Sequence, residues 1–393
     1  MSGPLKSLKI LDFSTLLPGP YASMMLADMG ADVLRIESPT RFDLVRFLPP
    51  MDGATSASHA FLNRGKRSLA LDLKKQGAVD IIKKLISEYD VVLEQFRPGV
   101  MERLGLGYSV LSEINPSLIY CSITGYGQTG PYKQRAGHDI NYLALAGVSG
   151  YSGRKEQGPP PLGIQVADVA GGSHHAVMGV LAAVIHRQQT GEGQFVDISM
   201  TDAAFAMNGM SGAGYLAAGV EPQTEEGVLN GGSFYDYYET KDHRYLAVGG
   251  LEPAFMTALC DVLERPDLVS IGLSQKQKDQ QEFKSFLTSC FKQHDYQHWL
   301  EVFKQVDACV EPVLSFAESA QHPQLRARDM VIEVARPDGS MQQQIGHPIK
   351  FSATQCESAY IGGGVGQHTD EVLLEQGFSE ADIKQYREQK LFG

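Results

Sequence analysis

Cysteine is scarce in this chain: there are five in 393 residues, Cys121, Cys260, Cys290, Cys309 and Cys356, odd in number and far apart. That argues against a disulfide framework and against a cysteine-rich metal site; buried free thiols are expected instead. Long apolar runs are absent too. The longest, Ala176 to Ile185, is closed by His186 and Arg187 and is too short by itself to cross a bilayer. The segment Met1-Ser-Gly-Pro-Leu-Lys has no apolar stretch of the kind a secretory signal needs, so a cytoplasmic location without membrane attachment is expected. Basic charge is outweighed, with 34 Lys and Arg against 46 Asp and Glu. The formal charge of −12 offers no broad face for nucleic acid or for a membrane surface, although it leaves room for a local basic pocket around one anionic ligand.

Several signature loops are missing as well. The first turn after a strand reads Asp12-Phe-Ser-Thr-Leu-Leu-Pro-Gly-Pro-Tyr, without Gly-x-Gly-x-x-Gly, which argues against a nicotinamide cofactor. No Gly-x-x-x-x-Gly-Lys-Ser/Thr, His-Glu-x-x-His or Gly-x-Ser-x-Gly occurs, so a nucleoside-triphosphate loop, that zinc motif and a nucleophile elbow drop out. No metal site and no separate cofactor is expected.

What is present is an alternation of short β-branched runs and helical patterns, the mark of parallel βαβ units. Strands are predicted at Leu8–Phe13, Val33–Glu37, Ser68–Leu73, Val91–Glu94, Leu118–Ile123 and Gln194–Ile198. A helix opens at Pro18-Gly19-Pro20 and closes at Gly30, by the proline-start and glycine-stop asymmetry. Another runs from about Lys75 to Glu88. A long Ala- and Gly-rich helix spans 163–187, and a further one spans about Thr201 to Ala217. Residues 218–232 are polar, glycine-rich and without period, which reads as a linker. The expected division is therefore a large α/β domain over 1–217, a linker over 218–232, a small α+β domain over 233–315, and a segment 316–393 that returns to the large domain. The small domain holds a hairpin, Phe234–Tyr238 with Tyr245–Gly249, three amphipathic helices to about Lys304 and a strand near Ala308–Val313.

Two residues stand out as proton carriers. His138 sits in Gly137-His-Asp-Ile-Asn-Tyr, a polar cluster leading into an apolar helix, and Asp168 sits in Gln165-Val-Ala-Asp-Val-Ala-Gly-Gly-Ser. If a histidine and a carboxylate meet across one substrate, they can move protons at carbon. The plainer reading of Asp168 is a helix cap, with Gly171 and Gly172 admitting a close neighbour. Glu252, in Gly249-Gly-Leu-Glu-Pro, reads as another cap with Pro253 in the first turn. His174 and His175, at the start of an apolar helix, read as structural. Arg35, Arg64, Lys66, Arg67, Lys74, Arg97 and Arg103 gather at loop-like positions in the first domain. Ligands of open α/β sheets bind at such strand ends, and guanidinium groups suit phosphates, so a polyphosphate-bearing ligand competes with an ordinary solvated surface.

At these residues the chain resembles the family III CoA-transferases, and within them the α-methylacyl-CoA racemases. The matching segments include Leu16-Leu-Pro-Gly-Pro-Tyr-Ala, Asp28-Met-Gly-Ala-Asp-Val-Leu-Arg-Ile-Glu, Asn63-Arg-Gly-Lys-Arg-Ser-Leu-Ala-Leu-Asp-Leu-Lys, Phe96-Arg-Pro-Gly-Val, Gly125-Tyr-Gly-Gln-Thr-Gly-Pro and Ala167-Asp-Val-Ala-Gly-Gly. The resemblance implies a Rossmann-like large domain with a smaller α+β domain, assembled as an interlocked-ring homodimer. It implies His138, Asp168 and Glu252 as catalytic residues. It also implies that CoA is held by Leu71, Asp72, Leu73, Lys74, Gln95, Phe96, Arg97, Arg103, Gly137, Asp139, Ile140, Asn141 and Tyr142. CoA would then be part of the substrate, an acyl-CoA of fatty-acid metabolism. The expected reaction is racemisation at the α-carbon of a 2-methylacyl-CoA, with enolate charge received by amides around Ala170 to Gly172. The alternatives are CoA transfer to a carboxylate with Asp168 as nucleophile, and a non-catalytic acyl-CoA-binding protein. Two positions differ from the family pattern: Pro161-Leu-Gly-Ile-Gln stands before Asp168, and Ser38 stands where an arginine often contacts CoA.

Overall fold

The computed structural model describes residues 3–393. Its centre is a six-stranded sheet in which every neighbouring pair is parallel. In chain order the strands are β1 (Lys9–Asp12), β2 (Asp32–Glu37), β3 (Arg67–Ala70), β4 (Val91–Glu94), β5 (Ile119–Thr124) and β6 (Phe195–Ser199). Their spatial order is 3-2-1-4-5-6. The chain winds outward from β1 through β2 to β3, then starts again beside β1 at β4 and winds the other way. Loops leaving the carboxyl ends of β1 and β4 therefore diverge, and such a reversal opens a crevice where α/β sheets bind ligands.

The strands are apolar because both faces are covered. Leu11, Leu34, Leu69 and Val92 lie in one core with helix α2 (Ala78–Ile86), which contributes Ala78, Ile81, Ile82, Leu85 and Ile86 at the spacing of one helical face. Each buried Leu, Ile or Val among them contributes about 1.5–3 kcal/mol. The carboxyl-terminal segment returns to this core: Val372, Leu373, Phe378, Ile383 and Leu391 pack into the same cluster. The two helices there, Thr369–Glu375 and Glu380–Glu388, thus each bury one side. A hairpin of Val331–Ala335 with Met341–Ile345 was not foreseen, since one strand reads Met-Gln-Gln-Gln-Ile; only the Asp338-Gly339 turn signals it.

Helix α1 (Pro18–Asp28) begins at its predicted prolines. The predicted 163–187 helix begins later and differently. Residues Ala167–His174 form a wide π-helical segment that continues into an α-helix, His175–Thr190. Together they make a 24-residue stretch that is long and apolar enough, by length and composition, to cross a bilayer, a fact the ten-residue run understated. In the fold this stretch packs on β5, β6, α1 and the helix Met200–Ala206. The predicted Thr201–Ala217 helix is broken into Met200–Ala206 and Gly209–Ala218.

The chain divides into two compact units, residues 1–146, 163–207 and 323–393, and residues 147–162 with 208–322. The boundaries thus fall at 207 and 322 instead of 217 and 315, and the stretch 147–162 joins the second unit. The segment 218–232, read as a linker, is tied down within that unit. Glu225 accepts from Arg154 and from the Lys155 amide, Asn230 donates to the Tyr151 and Gln223 carbonyls, and Lys284 donates to the Gly231 carbonyl. Its polar side chains satisfy backbone groups, which composition alone does not reveal. The second unit carries an antiparallel sheet, Val310–Pro312, Tyr245–Val248 and Asp236–Glu239 in that order, over a core that includes Phe234, Met256, Phe283, Phe291 and Trp299.

Candidate active site

In the first unit the candidate residues collect on loops after successive strands. Leu71–Lys74 follow β3, Gln95–Arg97 follow β4, and the 137–142 segment follows β5 in the chain. The β4 loop is tied to the β1–α1 turn across the strand reversal, because the Gly19 amide donates to Gln95 Oε1 at 2.8 Å. The same turn is tied to the Asp168 helix, where Ser173 Oγ donates to the Pro18 carbonyl at 2.7 Å. One continuous bonded edge therefore runs from the CoA candidates to Asp168.

His138 is the N-cap residue of the helix Asp139–Leu145. Its amide donates to Asn141 Oδ1 at 3.0 Å, and its ring side is exposed. The next residue, Asp139, accepts the Asp168 amide at 3.0 Å, which joins the two segments although 29 positions separate them. Asp168 does not cap its helix, contrary to the expectation. Val166 holds the cap position, and Asp168 lies within the first turn, where the widened helix leaves its carboxylate without a hydrogen bond among the described residues. Burial pushes that carboxyl up to about 6, the nearby Asp139 charge adds to the effect, and the His138 ring opposes it. An unbonded acid of this strength beside an exposed imidazole can give or take a proton near neutral pH.

The other candidates sort by burial. Lys74, Arg97, Arg103 and Ile140 are exposed and open to a ligand. Leu71 is 1% exposed, and its side chain packs into the core. Tyr142 is buried, with its hydroxyl donating to the Gly137 carbonyl at 2.5 Å. Asn141 and Gln95 spend their side-chain oxygens on His138 and Gly19, and both therefore shape the loops. Asp72 donates its amide to the Leu391 carbonyl and accepts the Lys74 amide, while Phe96 and Leu73 pack against the core. Gly137 has no room for a Cβ, which would lie 2.7 Å from both Tyr126 Oη and Tyr142 Cε1.

Four of the seven cations read as a ligand cluster are internal. Arg35 pairs with Glu37 and Asp43, Arg64 with Asp28, Lys66 with Asp12, and Arg67 with Asp32, Glu371 and Glu375. Apart from Glu37, on the same strand as Arg35, their carboxylate partners lie on other segments, so charge counting along the sequence could not find them. The segment whose amides are expected to receive an enolate oxygen is closely packed. Gly171 and Gly172 are buried, and a Cβ at the second would lie 3.0 Å from Pro18 Cβ and 3.1 Å from Met200 Cγ. Their bareness serves helix packing. His175 Nδ1 lies 2.7 Å from the Ala170 carbonyl, in keeping with a structural histidine.

Glu252 belongs to the second unit. It occupies the N-cap of the helix Pro253–Val262, but its exposed side chain forms no capping bond and is left free. Among the described residues no cluster of three or more His, Cys, Asp or Glu could hold a metal ion. All five cysteines are free thiols, Cys121 and Cys260 being buried.

Comparison with known proteins agrees with this architecture. The sequence model of CoA-transferase family III matches residues 5–369. The chain is 35% identical to a human α-methylacyl-CoA racemase, over 98% of this chain and 97% of the relative. It is 32% identical to a human succinyl-CoA:glutarate CoA-transferase, over 95% and 86%. The crystal structure of a CAIB/BAIF family protein from Brucella suis superposes with a TM-score of 0.82 at 28% identity, over 96% of this chain and all of that one. With the parallel sheet, the strand reversal and a match across nearly its whole length, the chain belongs to CoA-transferase family III.

Proposed function

We propose that the protein racemises the α-carbon of 2-methylacyl-CoA thioesters. The observation that carries this reading is the Asp168 carboxyl, unbonded and pushed up to about 6, next to the segment that presents His138. The two epimers of a CoA thioester that differ only at the α-carbon are close in energy, so each face needs a group able to serve as base in one direction and acid in the other. An imidazole and this raised carboxyl are groups of that kind.

In one direction neutral His138 removes the α-proton. The C–H electron pair then moves into the C–C bond, and the thioester carbonyl becomes an enolate oxygen. Protonated Asp168 then returns a proton to the opposite face, the enolate pair re-forms the C–H bond, and the enzyme is left with imidazolium and carboxylate. The reverse direction exchanges the two roles. Glu252 would hold the imidazole in one tautomer, supplied in an interlocked homodimer by a second copy of the chain. Lys74, Arg97 and Arg103 would hold the CoA phosphates. We place the reaction in the cytoplasm.

The competing chemistry uses the same carboxylate as a nucleophile, and relatives bearing transferase names lie at comparable identity. Incubation of a 2-methylacyl-CoA in deuterium oxide without an acceptor acid separates the two. Racemisation with uptake of one deuterium at the α-carbon supports the proposal, and Asp168→Asn and His138→Ala should each abolish it. Retained chirality, with turnover only after a carboxylic acid is added and capture of an Asp168 hydroxamate by hydroxylamine, would overturn it in favour of transfer. Binding without either reaction would leave a binding protein.

A further inference from the structure

One buried carboxyl near the site has no part in the proton transfers. Glu94 is the last residue of β4, 4% exposed, at the root of the Gln95–Arg97 loop. Its Oε2 accepts the Phe96 amide at 2.7 Å, and the Ser122 hydroxyl bonds the same carboxyl. Ser122 in turn accepts from Gln128 Nε2 at 2.7 Å, so its own hydroxyl hydrogen is available to Glu94. No cation faces it. The charged groups around it are Glu102, on the short helix Val100–Arg103, and Asp197 on β6, both of its own sign, and Tyr120 and Cys121 on β5 are its neutral titratable neighbours.

An ionised glutamate in such a place costs stability that an uncharged residue would not. What it does here is geometric: it turns the loop by gripping the Phe96 amide, while the adjacent Gln95 grips Gly19 across the strand reversal. An ionised acceptor makes the stronger bond. We propose that Glu94 is a positioning residue for acyl-CoA binding, which in its ionised form holds the Gln95–Arg97 loop in the shape that receives the CoA moiety. The proposal rests on the acyl-CoA reading above. Burial pushes the Glu94 carboxyl up to about 7, so the grip slackens within the physiological range as pH falls.

The test compares wild type, Glu94→Gln and Glu94→Ala by calorimetric binding of one acyl-CoA at about pH 6 and about pH 8, with steady-state kinetics alongside. Glutamine copies the protonated side chain in shape, so its fold is safe and it serves as the conservative reference. Expected at the higher pH is binding about threefold weaker for Glu94→Gln and about tenfold weaker for Glu94→Ala. At the lower pH wild type and Glu94→Gln should converge. The ligand's phosphate ionises near ~6, but it does so for both proteins and cancels in their ratio. In turnover KM should rise while kcat holds within about twofold. A wild-type to Glu94→Gln ratio that ignores pH, or a kcat loss as large as the KM rise, overturns the role of Glu94 alone. Wild-type protein that binds no acyl-CoA overturns the ligand reading as well.

Discussion

Replacing Arg64 by alanine tests whether this cation holds ligand or fold. Arg64 is 1% exposed; its Nε and Nη2 donate to the two oxygens of Asp28 at 3.0 and 2.5 Å, and its Nη1 donates to the Ile345 carbonyl at 2.6 Å. Truncation leaves the Asp28 carboxylate buried with Ser358 and His347 as its remaining side-chain partners among the described residues, and it strips a donor from the Ile345 carbonyl at the end of the Met341–Ile345 strand. Breaking one side of a buried pair costs about 3–5 kcal/mol, and the lost carbonyl bond overlaps with it, so about 4 kcal/mol is expected. For a unit of this size that lowers the thermal midpoint by roughly 10 °C.

The sign of the pH dependence follows from Asp28. Burial raises its carboxyl, but hydrogen bonds from His347, Arg64 and Ser358 outweigh burial and hold it below the ordinary carboxylate range. In the wild type this stabilisation is present above the ordinary range and is lost as pH falls through the lowered folded value. Without Arg64, burial has less opposition and protonation relieves the cost, so the difference between variant and wild type should shrink as the pH is taken from neutral into the acid range. Urea or thermal unfolding at two pH values measures this, with acyl-CoA binding checked on the folded variant in the cold. An unchanged midpoint with tenfold weaker binding would refute the reasoning and return Arg64 to the ligand-holding set.

Asp139→Asn keeps an oxygen for the Asp168 amide but removes a like charge, so Asp168 becomes a stronger acid and the acidic limb of the racemisation pH profile moves to lower pH. A limb that stays or moves upward contradicts the assignment. Gly19→Ala would place a Cβ 2.1 Å from Ser14 Cβ and 2.6 Å from Gln95 Oε1. A stability loss of about 1–3 kcal/mol in denaturant unfolding, together with weaker acyl-CoA binding, is expected, and a wild-type midpoint would show that the turn has slack.

The strands and helices were largely legible in the sequence because they depend on local pattern. Five of the six sheet strands lie within two residues at each end of their apolar runs, and α1 starts at the prolines that predicted it. The third was read three residues too long, since Leu71 to Leu73 continue the apolar alternation after the ladder has ended at Ala70. Motif resemblance likewise pointed to the family. The sequence could not say which charges are spent internally, because Arg35, Arg64, Lys66 and Arg67 meet carboxylates from other elements and chain order carries no record of those distances. Nor could it show that Asp168 leaves the cap position, or that a widened helix exposes it to Asp139 and His138. A residue's tendency to form a strand or a helix resides in its own side chain and its near neighbours. Its acidity, its partner and its access to substrate depend on what folding brings within a few ångströms, and only the tertiary structure decided those.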